Sequence, residues 1–146
     1  MSSLTGANAT FTLVIPGVFN TPVILQGFAV DDSFKSEAVP QTETRMGVDG
    51  NLSGGFIFQP YPTTIMIQPD RPSLAIFETW RASQQAAGDV FTANGSILLA
   101  NIGQQYTLFK GFLTSAHPFP DVKKLLEPLP YVITWNSIVS SPTVVL

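Results

Sequence analysis

The sequence predicts a mainly β domain: a β-sandwich or barrel of two packed antiparallel sheets with one flanking α-helix. Three observations carry that expectation. Twelve prolines and eleven glycines punctuate the 146 residues at short intervals. Between them lie short runs rich in Val, Ile, Phe, Thr and Tyr, the composition of pleated, half-buried surfaces. A single segment departs from this, with apolar residues at helical rather than alternating spacing. The length suits one domain over residues 1–146, with enough chain to bury a full core.

The elements follow in order. Residues 10–15, 23–30 and 34–38 read as the first strands. Residues 31–55 are polar, include Gly47, Gly50, Gly54 and Gly55, and carry an Asp49-Gly50 turn signal. A long protruding loop or hairpin is expected over about residues 39–55, and long ordered loops are usually functional. Strands at 55–58 and 63–68 come next. Asp70-Arg71-Pro72-Ser73 then opens a helix over about residues 73–87, closed by Gly88. Asp or Ser can cap free N–H groups, Pro is tolerated in the first turn, and Gly fits the left-handed stop. Leu74, Phe77 and Trp80, with Ile76 beside them, form the core face. Glu78, Arg81, Gln84 and Gln85 form the opposite one.

Asn94-Gly95, between apolar runs at 90–93 and 96–100, predicts a two-residue hairpin turn. Strands follow at 96–101, 105–115 and 131–139. Residues 121–126, held between Pro120 and Pro128, read as a short helical turn. The apolar C-terminal stretch 138–146 either adds a strand to a neighbouring chain or forms the last strand of its own.

Composition bounds the function. The chain is 45% hydrophobic but only 12% charged, with no cysteine and one histidine, His117. Soluble surfaces normally draw on far more charge, so much of this surface is expected to be covered by other subunits. Proton transfer and metal binding need clustered His, Cys, Asp or Glu, so no enzyme and no cofactor are expected. The net charge of −3 and seven scattered basic residues argue against a phosphate clamp. Zero cysteines exclude disulfides and thiolate metal sites. The first residues lack a basic, apolar signal pattern, and no apolar run reaches the ~18 residues of a membrane span.

Individual candidates for chemistry are thin. Asp31-Asp32 would point to opposite faces of a strand. Glu37, Glu43, Asp49 and Glu127 offer carboxylates for a glycosidase pair, a pattern any chain with ten acids supplies. Asp49-Gly50-Asn51 resembles the start of a calcium loop without the remaining ligands. His117 stands beside Pro118 with no nucleophile motif. The Gly-rich run 50–55 fits neither a phosphate loop nor a dinucleotide fingerprint. Eleven phenylalanines lack the basic groove that base stacking needs. Asn8-Ala9-Thr10 and Asn51-Leu52-Ser53 match the glycosylation pattern, which has weight only in a secreted chain.

Several segments carry a family resemblance together. They are Leu25-Gln-Gly-Phe-Ala-Val-Asp-Asp-Ser-Phe34, Met46-Gly-Val-Asp-Gly-Asn-Leu-Ser-Gly-Gly-Phe56, and Thr64-Ile-Met-Ile-Gln-Pro-Asp-Arg-Pro-Ser-Leu-Ala-Ile-Phe-Glu-Thr-Trp80. Leu113-Thr-Ser, Pro120-Asp-Val-Lys-Lys124 and Tyr131-Val-Ile-Thr-Trp135 follow. The chain resembles the tail tube proteins of contractile-tailed bacteriophages over roughly residues 10–140. The resemblance implies a virion structural protein. Its subunits form hexameric rings that self-assemble into a stacked tail tube, the conduit for DNA ejection inside a contractile sheath.

One sheet of each subunit would join its neighbours into a lumen wall, through which DNA passes without specific binding. The protruding segment would contact the next ring through Val39, Gln41, Glu43, Arg45, Met46, Asp49, Asn51 and Leu52. Glu78, Arg81, Gln84 and Gln85 would face the sheath or a neighbour. Implied partners are further copies of the chain, the tail sheath protein, and baseplate and tail-terminator proteins. Membrane association is not implied. The implied location is the virion, after assembly in the host cytoplasm. A baseplate or tail-terminus ring protein of the same fold is an alternative. A tail-tip carbohydrate-binding module, using Trp80, Trp135 and the tyrosines, is another.

Overall fold

The structure, a computed structural model, describes residues 9–25, 34–68, 72–99, 102–120 and 122–142. Among the described residues, nine strands and one helix follow in chain order: β1 (Ala9–Ile15), β2 (Phe19–Ile24), β3 (Phe34–Ser36), β4 (Thr42–Met46), β5 (Leu52–Phe56), β6 (Tyr61–Ile67), α1 (Ser73–Ala87), β7 (Ala93–Leu99), β8 (Gln104–Ala116) and β9 (Leu129–Pro142). Seven strands form one sheet in the order β2-β1-β7-β8-β9-β6-β3, and β4 with β5 forms a second. Every pairing is antiparallel. The two edge strands, β2 and β3, do not pair with each other, so the large sheet is not a closed barrel.

The core follows from alternation along the strands. Phe11, Leu13 and Ile15 of β1, Ile65 and Ile67 of β6, and Leu129, Tyr131, Ile133 and Trp135 of β9 are buried. Burying each such side chain is worth about 1.5–3 kcal/mol. Helix α1 covers this cluster with Phe77 and Trp80. The Phe77 ring stacks on Tyr131 at 4.5 Å and 11°. The Trp80 indole N–H donates to the Phe91 carbonyl at 2.8 Å.

The helix begins and ends where the sequence places it, with one difference. Pro72 occupies the N-cap position and makes no side-chain cap; Ser73 is the first helical residue and is buried. Gly88 closes the helix at φ +65°, its N–H donating to the Gln84 carbonyl at 2.9 Å. Leu74 and Ile76 are half-buried at the rim of the core. Asp70 and Arg71 lie outside the described residues, as do Asn8, Asp31 and Asp32.

Three local expectations are corrected. Asn94-Gly95 is no turn: both residues lie inside β7, paired with β1 through Val14↔Asn94 and Leu13↔Gly95. A Cβ on Gly95 would lie 2.8 Å from the Thr12 carbonyl oxygen and 3.4 Å from the Trp135 ring, so the glycine serves packing. Asn94 Oδ1 accepts the Lys110 N–H at 3.1 Å, where β8 bulges through Lys110 at φ +51°. Residues 122–126 are not helical either. They bend back to an isolated Val122↔Leu126 bridge, with prolines on either side removing helix donors. Finally, β2 spans Phe19–Ile24 rather than 23–30, of which residues 26–30 lie outside the described residues. The C-terminal stretch is an intramolecular strand as far as Pro142, which pairs with Gln104.

Candidate functional site

The segment expected to protrude is an isolated two-stranded ribbon. β4 and β5 pair from Thr42↔Phe56 to Met46↔Leu52, and all ten residues are exposed. The tip is set by local chemistry. The Gly50 N–H donates to the Gly47 carbonyl at 3.0 Å, and the Gly47 N–H to the Asn51 carbonyl at 2.8 Å. Gly50 sits at φ +83°, which a side chain would resist. Asn51 donates its backbone and amide N–H groups to Asp49 at 3.1 and 2.9 Å, and these bonds hold the Asp49 carboxyl below its ordinary range. At the base, the Ile57 N–H bonds the Gln41 carbonyl at 3.2 Å.

Cross-strand partners share a face. One face of the ribbon therefore carries Thr42, Thr44, Met46, Leu52, Gly54 and Phe56; the other carries Glu43, Arg45, Ser53 and Gly55. Met46, Leu52 and Phe56 are each more than three-fifths exposed, and Val48 at the tip is fully so. Phe58 beyond the ribbon meets Phe56 edge-to-face at 5.1 Å. An apolar, solvated ribbon face of this kind marks an interaction surface.

A second surface was not singled out from the sequence. No Asp, Glu, Lys or Arg occurs in β1, β2, β6, β7 or β9, and Lys110 in the bulge is the one such residue of β8. The outward side of the four adjacent strands β1, β7, β8 and β9 reads Thr10, Thr12 and Val14; Asn94, Ser96 and Leu98; Gln105, Thr107 and Phe109; Ser137, Val139 and Ser141. Register aligns them in rows such as Thr12↔Ser96↔Thr107↔Val139. The signal was present in the sequence as charge-free runs over residues 1–30, 90–109 and 128–146.

The outer face of α1 is less free than expected. Glu78 accepts the Tyr131 hydroxyl at 3.3 Å and pairs with Arg81 at 3.1 Å. Gln84 Oε1 accepts the Phe91 N–H at 3.2 Å, and Gln85 lies 3.4 Å from Arg81. These bonds anchor the helix to its own sheet and to the following loop. Burial, together with repulsion by Glu78 and the hydrogen bond that the phenol donates to it, pushes the Tyr131 phenol up to about 12, with Arg81 opposing.

The remaining candidates for chemistry do not converge. Glu37, Glu43 and Asp49 are exposed along β3, the ribbon and its tip; Glu127 lies 3.8 Å from Lys123 in the β8–β9 connection; His117 is exposed just after β8. Among the described residues, no three His, Asp or Glu side chains gather where a metal ion would fit. Trp80, Trp135 and Tyr131 are fully buried and offer no sugar-stacking platform.

A family model described as tail fiber protein gp32 matches residues 2–139. The chain belongs to the tail fiber protein gp32 family. It is thus a phage tail-related protein. No curated protein matches it. Among solved structures, a chain of the PVC sheath-tube complex, an extracellular contractile injection system in its extended state, is similar. It has a TM-score of 0.60 and 14% identity, over 98% of this chain and 93% of that one. A chain of the sheath/tube terminator of the same system has a TM-score of 0.59 and 15% identity, over 90% and 92%. A chain of the anti-feeding prophage baseplate has a TM-score of 0.55 and 9% identity, over 92% of each. At these identities the likeness is one of fold.

Proposed function

We propose that this tail protein is a non-enzymatic, ring-forming subunit whose rings stack into the DNA conduit of a contractile phage tail. The outer face of β1, β7, β8 and β9, on which the exposed Lys110 is the one charged side chain, carries the reading. A solvent-exposed antiparallel face normally carries Lys and Glu, both for solubility and to block edge pairing. This one carries mostly hydroxyls and amides, too polar for a dry interface, and its single cation, Lys110, is too few to clamp phosphates. Such a face suits the wall of a wet channel that a polyanion crosses without sticking. Edge pairing of neighbouring subunits would join the walls of successive copies. The ribbon, with Val39, Gln41, Glu43, Arg45, Met46, Asp49, Asn51 and Leu52, would reach the adjacent ring. The similar baseplate structure is six-fold symmetrised, which supports hexameric rings, and sheath, baseplate and terminator proteins would be the partners in the virion. Assembly of the subunits would take place in the host cytoplasm.

A second reading keeps the fold and confines the protein to one ring of the baseplate or tail end. The tail fiber description of its family and the baseplate neighbour favour it. Deleting residues 41–52 tests the stacking reading. The expected product is a folded monomer, with the far-ultraviolet circular dichroism of a β protein, that no longer stacks. Normal stacks from the deletion variant would remove the ribbon from the account.

A further inference from the structure

Strand β9 is accompanied by β6 for only the first half of its length. β8 accompanies it from Tyr131 to Pro142, whereas β6 accompanies it only from Leu129 to Trp135. On the β6 side, residues 136–142 have no strand partner among the described residues, and no backbone bond joins them to the neighbouring 37–41 segment. Two adjoining cavities lie along this open half, of about 320 and 380 Å³. Both include Ser36, Tyr106 and Ile138 in their walls; Val39 and Ser140 line the first, and Leu99 lines the second. No ribbon strand of the same chain lines either one.

Strand β5 has the complementary features. Its outer edge is unpaired, since β4 is its single partner. Its sequence, Leu52-Ser53-Gly54-Gly55-Phe56, has no charge to desolvate. Leu52 and Phe56 point to one face, about 13 Å apart at strand spacing. Glycine weakens a strand, and Gly55 has no steric reason within the chain: a Cβ there would meet nothing within 4 Å. A glycine of that kind marks a place where another backbone approaches.

We propose that β5 of a second copy of this chain adds as a strand to the open half of β9, with Leu52 and Phe56 seated in the two cavities. Main-chain bonds then supply affinity and the two apolar anchors supply register. The contact is head-to-tail, because donor ribbon and acceptor groove are different surfaces of one molecule, so it propagates from copy to copy. The proposal rests on the stacking reading above and names the surface that receives the ribbon.

The absence of cysteine makes the test direct. A Ser53→Cys/Ser140→Cys double variant, treated with a short bis-maleimide after assembly, is expected to give a ladder of covalent oligomers. A Ser53→Cys/Gln85→Cys control, with its second thiol on α1 and away from the contact, is expected to remain monomeric on denaturing gels. Gly55→Val is expected to leave the monomer's circular dichroism and melting temperature unchanged while raising the concentration needed for stacking at least tenfold. Stacks of the parent chain that neither ladder through Ser140 nor respond to Gly55→Val overturn this docking and leave the stacking reading intact. A parent chain that never assembles overturns both.

Discussion

Trp135 fixes Gly111, which lies far from it in sequence. A Cβ on Gly111 would fall 2.6 Å from its ring and 2.8 Å from Ile133, whereas one on Gly95 would collide first with the Thr12 carbonyl oxygen at 2.8 Å. Trp135 is fully buried and cannot give way. Overpacking of this kind costs about 1–3 kcal/mol. Gly111→Ala is therefore expected to destabilise the fold by that amount in denaturant titration, and a neutral result would mean that the indole is not wedged there. The Tyr131–Glu78 bond gives a second residue-scale prediction. The phenol titrates near 10.0 when unfolded and at about 12 when folded. Its contribution is complete below pH 10 and is lost as pH rises toward 12, with a slope of at most about 1.4 kcal/mol per pH unit. Tyr131→Phe should lack that part of the alkaline decline; an identical pH profile would contradict a phenol raised by burial and by Glu78.

At the scale of elements, legibility tracked how local each cause is. Helix α1 was readable because Phe77 and Trp80 recur at helical spacing and Gly88 stops the chain, all within sixteen residues of one another. The ribbon was readable because Asp49-Gly50 is a turn signal whose bonds close within the loop. Asn94-Gly95 misled for the opposite reason. Its dipeptide matches a hairpin turn, but the glycine answers to Thr12 and Trp135 and the asparagine to a bulge at Lys110. The 122–126 bend misled because its enclosing prolines fit a capped helical turn and an irregular loop equally well. Of the proposed contact residues, those of the ribbon were legible as a polar, glycine-rich insertion. The groove beside β9 was not, because it exists only through the unequal lengths of β6 and β9. The helix residues Glu78 and Gln84 looked free in sequence, and their partners Tyr131 and Phe91 belong to other parts of the chain.

For the whole molecule, the distribution of charge matters more than its total. The seventeen Asp, Glu, Lys and Arg residues leave four long runs untouched, 1–30, 50–69, 90–109 and 128–146, and strands β1, β2, β6, β7 and β9 of the large sheet fall within them. Charge is instead carried by β3, the ribbon, the helix and the β8–β9 connection. This segregation separates a nearly uncharged sheet surface from the charged remainder, and the proposed assembly predicts a chain that buries its ribbon and sheet edges in company. Negative-stain electron microscopy of the purified protein over a concentration series tests that claim most directly. The account predicts rings that stack into hollow tubes as concentration rises, with single rings alone assigning the protein to the baseplate or tail end. A strictly monodisperse monomer at every concentration would contradict it.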